Sequence, residues 1–144
     1  MSIVIWTRKS PSLWTVKYRK ERKMSYTSAS KVYKKNQIES ASPKQLVVLL
    51  YEGAIKFIRL AELALEKGQM DKVHTNLIKA QDIVTELMTS LNHQDGQNAI
   101  ASELETLYSY ILSELIQTNL KKDVEKMIST RKLMSELLEA WASI

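Results

Sequence analysis

The sequence predicts an all-α protein, an antiparallel up-down four-helix bundle preceded by a flexible N-terminal segment. Three observations carry that prediction. Only three glycines and two prolines interrupt 144 residues, of which 44% are hydrophobic, so long unbroken elements are expected. The abundance of Leu, Ala, Lys, Glu, Gln and Met makes those elements helices. Four windows of apolar residues at helical spacing follow one another with short links between them, and short links make antiparallel neighbours.

The chain divides by composition before it divides by structure. Residues 1–23 hold seven Lys/Arg against Glu21 alone, a net +6, whereas residues 24–144 hold fourteen Lys/Arg against fifteen Asp/Glu, a net −1. The basicity therefore belongs to the tail. A fold that grips phosphates needs clustered cations on its own surface, and residues 24–144 do not supply them, so nucleic-acid binding is not expected. Residues 1–23 lack a sustained helical period and an h-region, which argues for an upstream extension, disordered or non-native, and against a signal peptide. The competing reading is a basic arm that docks on a membrane or an acidic partner. No stretch approaches the roughly 20 apolar residues of a membrane span, so no direct insertion is expected.

Residues 24–41 are polar and are expected to form a mobile segment ahead of the bundle, which occupies 42–144. Ser42-Pro43-Lys44-Gln45 places Ser at an N-cap, Pro at the first helical position and Gln where a capping box needs it. The first helix is thus expected from Ser42 to Lys67, with Gly68 free to take the left-handed position that ends it. A second helix fits Asp71 to about Leu91 through Leu77, Ala80, Val84, Leu87 and Leu91, and Asn92–Gly96 is a turn. A third fits Asn98 to about Thr118 through Ile100, Leu104, Leu107, Ile111 and Leu115. Residues 119–122 link it to a fourth that starts near Asp123, with Val124, Met127, Met134, Leu138 and Trp141 in phase.

The first helix has more apolar surface than one bundle face needs. Leu46, Leu50, Phe57, Leu60 and Ala64 form one stripe. Val47, Tyr51, Ala54, Ile58, Ala61 and Leu65 form a second beside it. Either the helix is buried all round, or one stripe is a groove for a partner. The partner stripe is assigned to Val47, Tyr51, Ala54 and Ile58, and the opposite one to the core, although the spacing alone leaves open which of the two faces inward. A segment just ahead of such a helix can cover it, and Tyr33, Gln37 and Ile38 are the expected covering residues.

Nothing in the sequence carries chemistry. There is no cysteine, hence no disulfide and no thiolate metal site. Neither His74 nor His93 has the Glu three residues earlier that di-iron bundles use, and no phosphate loop, nucleophile elbow or zincin pattern occurs. Carboxylates sit singly on helical surfaces near Lys, as with Glu62 and Lys67. Trp141 is expected in the core, whereas Tyr108 and Tyr110 fit either core or partner contacts. No enzyme activity and no cofactor is expected.

Residues with more particular spacing remain. Tyr33-Lys-Lys-Asn-Gln-Ile38, Ala41-Ser42-Pro43 and Leu50-Tyr51-Glu52-Gly53-Ala54 resemble the N-terminal signature of the FliS family. Leu77–Ile83 resembles that family's second helix, Leu107–Tyr110 its third, Asn119–Asp123 its last link and Ala140-Trp141 its ending. The resemblance implies a cytoplasmic four-helix-bundle export chaperone. Such a protein binds the disordered C-terminal segment of flagellin, prevents premature polymerisation and assists delivery to the flagellar type III apparatus. It further implies that the client wraps the bundle with helical pieces, and it allows the export gate as a second partner. The alternative within the family is a helical adaptor for a regulatory protein of flagellar assembly.

Overall fold

A computed structural model of the chain describes residues 42–91 and 99–143. Four helices account for nearly all of them: α1 Pro43–Glu66, α2 Met70–Thr89, α3 Ala99–Lys121 and α4 Val124–Ala142. Each helix packs on the next, and α1 also packs on α4, so the four close into an antiparallel up-down ring around one core. The segment 1–41 and the turn expected over Asn92–Gly96 lie outside the described residues.

The helix ends follow local chemistry. Gln45 N–H donates to Ser42 Oγ at 3.2 Å, and Ser42 N–H donates to Gln45 Oε1 at 2.9 Å, which is the reciprocal capping box. At the other end of α1, Gly68 takes φ +70, its N–H donates to Leu65 O, and Gln69 N–H donates to Ala64 O. That pair of bonds is a Schellman motif, and the left-handed φ is why glycine stands there. Between α3 and α4, Lys122 also takes a positive φ of 52. Its ammonium holds the Asn119 carbonyl and Oδ1 at 2.7 and 2.6 Å, so the lysine stabilises its own turn. Asp123 Oδ1 then accepts from Glu125 N–H and Lys126 N–H and starts α4.

The core is built from Leu50, Ala54 and Phe57 of α1, Leu77, Ile83 and Leu87 of α2, Leu104, Tyr108, Ile111 and Leu115 of α3, and Met127, Met134 and Trp141 of α4. Three in-phase residues expected inside are exposed, Leu60, Ile100 and Val124. Ile100 and Val124 stand at the start of their helices, where the ring of neighbours does not reach. In α3 the buried face is centred on Tyr108 and not on Leu107, which is half-buried on the flank.

Candidate functional site

Apart from the exposed Leu60, the two apolar stripes of α1 turn out to be one wide, largely buried face. Val47, Tyr51, Ala54 and Ile58, assigned above to a partner groove, are buried against the bundle, as are Leu50 and Phe57 of the other stripe. The correction has a simple cause. α1 makes the two largest helix contacts in the ring, with α2 on one side and α4 on the other, so its buried arc spans both neighbours. Tyr33, Gln37 and Ile38 lie outside the described residues.

Polar atoms inside the core show which way α1 faces. The Tyr51 and Tyr108 hydroxyls hydrogen-bond across the bundle, their ring centroids 6.3 Å apart, and Trp141 Nε1–H donates to the Tyr51 oxygen at 3.2 Å. Three helices thus share one satisfied network, with Tyr108 and Trp141 in the core and Tyr110 outside. Burial pushes the Tyr51 phenol up to about 12, partly offset by its hydrogen bonds to Tyr108 and Trp141. Burial raises Tyr108 still further, with Tyr51 adding to the rise.

A second buried connection was not visible in the sequence. Glu62, read above as a surface carboxylate near Lys67, is only 2% exposed. Arg131 of α4 donates to it through Nε at 2.5 Å and Nη2 at 3.2 Å, and Arg59 through Nη1 at 3.0 Å. Glu62–Arg131 and Tyr51–Trp141 therefore pin α4 to α1 at two levels. On its other side α4 holds α3 through Lys126 and Glu114 at 3.0 Å, near their shared turn, and this pair of helices touches least.

What the described bundle offers a partner is apolar surface on the outside of all four helices. Leu60 and Leu63 of α1, Met70 and Ile78 of α2, Ile116 and Leu120 of α3 are the main exposed groups. Among the described residues no group of three His, Cys, Asp or Glu could hold a metal ion, and no helix is long and apolar enough to cross a membrane.

Comparison with known proteins agrees with the motifs. A family model described as "Flagellar protein FliS" matches residues 25–144. The "Flagellar secretion chaperone FliS" of Bacillus subtilis (strain 168) is 34% identical over 109 residues, covering 76% of this chain and 80% of that protein. The protein of the same name from Salmonella typhimurium is 33% identical over 125 residues, covering 84% and 93%. That from Campylobacter jejuni is 26% identical over 121 residues, covering 84% and 94%.

Proposed function

The chain belongs to the FliS family of flagellar secretion chaperones, and from that premise we propose that it binds the disordered C-terminal region of flagellin in the cytoplasm. Bound there, it prevents premature polymerisation and assists delivery to the flagellar type III apparatus. The observation that carries this reading is the extent of the match, which takes in the whole bundle and the residues just ahead of it. Apolar side chains left open on every helix support it, because a client that wraps the bundle needs contacts on several sides. Recognition of this kind couples folding to binding: the client orders as its apolar groups are buried. The contact surface falls on outward groups such as Leu60, Leu63, Met70 and Ile78, while Tyr33, Gln37 and Ile38 act as a displaceable cover. So few side chains contribute only a few kcal/mol after their ordering entropy, which a longer client segment outbids.

Titration calorimetry of the full chain with a C-terminal flagellin peptide tests this. The expected result is one-to-one binding with a negative heat-capacity change from apolar burial. Hydrogen exchange is expected to show residues 26–40 losing protection as the peptide binds. A chain that neither binds the peptide nor slows flagellin polymerisation overturns the reading.

A further inference from the structure

Four lysines frame one apolar strip on the outside of α1 and α2. Lys56, Leu60, Leu63 and Lys67 follow one another at spacings of four, three and four along α1, all exposed. Lys72 and Lys79 stand two turns apart on α2, and Lys79 shows how the two helices meet. Its ammonium lies 5.3 Å from the centroid of the Phe57 ring, and that of Lys56 lies 5.7 Å from the same centroid. Because α2 runs antiparallel to α1, Lys72 comes near the level of Leu63. Leu60 and Leu63 are thus bounded by Lys56 and Lys79 at one end and by Lys67 and Lys72 at the other. None of Lys56, Lys67 and Lys72 forms an ion pair with a described carboxylate. Glu52 and Asp82 lie one turn beyond the Lys56–Lys79 end, and Glu66, a turn on from Glu62, is on the α4 side of α1. The far end of the bundle has the opposite sign. Glu52, Glu86, Glu103, Glu105, Glu136 and Glu139 gather there, with Lys44 the single cation among the described residues.

We propose that this framed strip selects an acidic amphipathic helix, and that the helix is a piece of the client. Leu60 and Leu63 are 38% and 37% exposed. Full burial of a leucine is worth roughly tenfold to a hundredfold in affinity, and these two have less than two-fifths of their surface left to bury, so apolar contact alone holds a peptide weakly. The charges supply the rest. Two ammonium groups share the Phe57 ring, whose face offsets part of their mutual repulsion, and a carboxylate brought up beside them gains from both. The frame spans roughly 16 Å along α1 and roughly 10 Å along α2, about three turns of a helix. Its occupant turns two large apolar residues onto Leu60 and Leu63 and carries carboxylates about seven to eleven positions apart. A bilayer would call for a broader apolar face than two leucines. The acidic far end repels the same segment, so the field of the bundle steers it towards the Gly68 end. That the client supplies the helix rests on the function proposed above; the charge of the face does not.

Fluorescence-anisotropy titrations of the full chain with three labelled peptides test this: the C-terminal flagellin peptide, a synthetic helix with two leucines bracketed by glutamates, and the same helix with lysines for the glutamates. The flagellin peptide and the glutamate helix are expected to bind, and the lysine helix is not. Lys56→Glu and Lys72→Glu should each weaken both by about fivefold or more, with helix content by circular dichroism unchanged. Lys132→Glu on α4 changes net charge equally and should weaken them by less than about twofold. Raising salt from about 50 to 500 mM should cost affinity in the parent and little in the Lys56→Glu/Lys72→Glu double variant. Equal binding of the glutamate and lysine helices overturns the proposal, as does flagellin binding no more sensitive to Lys56→Glu and Lys72→Glu than to Lys132→Glu. Cosedimentation with phosphatidylglycerol vesicles through these lysines, with peptide binding indifferent to them, gives the face to a membrane and also overturns it. If only the glutamate helix binds, through the lysines, the charge selection stands and the client falls as its source.

Discussion

Removing Arg131 is expected to cost far more than a surface ion pair, while removing Arg131 and Glu62 together costs little. The Glu62 side chain is 3% exposed, and Arg131 holds both of its oxygens. In Arg131→Met the carboxylate keeps only Arg59, whose side chain is 54% exposed and easily drawn to water. Breaking one partner of a buried pair costs about 3–5 kcal/mol, because the remaining charge is desolvated without compensation. The single bond from Arg59 places the expected loss at the low end, about 3 kcal/mol. With a urea dependence of about 2 kcal/mol per molar, the unfolding midpoint falls by roughly 1.5 M. Glu62→Met with Arg131→Met removes both the attraction and the desolvation, so the double variant should return to within about 1 kcal/mol of the parent. Urea titrations of the four proteins, followed at 222 nm, give the coupling directly. A loss below about 1 kcal/mol for Arg131→Met, or a double variant as weak as the two singles summed, would refute a buried charge held by α4.

Two further outcomes follow from the core. Burial places the Tyr51 and Tyr108 phenols above the ordinary value of 10.0, Tyr51 at about 12. The unfolded chain therefore loses these protons first; the stability is complete below about pH 10 and is lost as pH rises through the folded values. Absorbance at 295 nm should show the two ionising only with alkaline unfolding, and a smooth titration with circular dichroism unchanged contradicts their burial. Ile58→Asp should destabilise by more than about 3 kcal/mol, a buried charge without a partner, whereas Leu63→Glu on the outside of the same helix should change stability by less than about 0.5 kcal/mol. Equal thermal shifts for the two would mean that α1 is not oriented as described.

Much of the fold was legible because its signals are local. A cap needs only four consecutive residues, so Ser42–Gln45 could be read outright, and Gly68 announces a left-handed end wherever it follows a helical run. The end of α3 was placed three residues early because Asn119, Leu120 and Lys121 are weak punctuation. With neither Gly nor Pro to stop it, the helix continues to Lys121, and the stop comes from Lys122, which supports its own positive φ through Asn119. Periodicity found Leu77, Ala80, Val84 and Leu87 of α2 but missed Val73 and Ile83, and it mis-centred α3, because Leu107 and Tyr108 are adjacent and both apolar. Only the partner across the bundle, Tyr51, decides which of them turns inward.

The orientation of α1 was beyond any local reading for the same reason. Counting apolar positions per turn shows that a helix has a wide face, but not how many neighbours share it. A helix between two neighbours can bury most of both stripes, and α1 does, with Leu60 the one stripe residue left exposed. The residues that decide the matter are far apart in sequence: Glu62 and Arg131 are separated by 69 positions, Tyr51 and Trp141 by 90. Surplus apolar content was therefore an unsafe marker of a binding surface, since burial by a second neighbour explains it equally well.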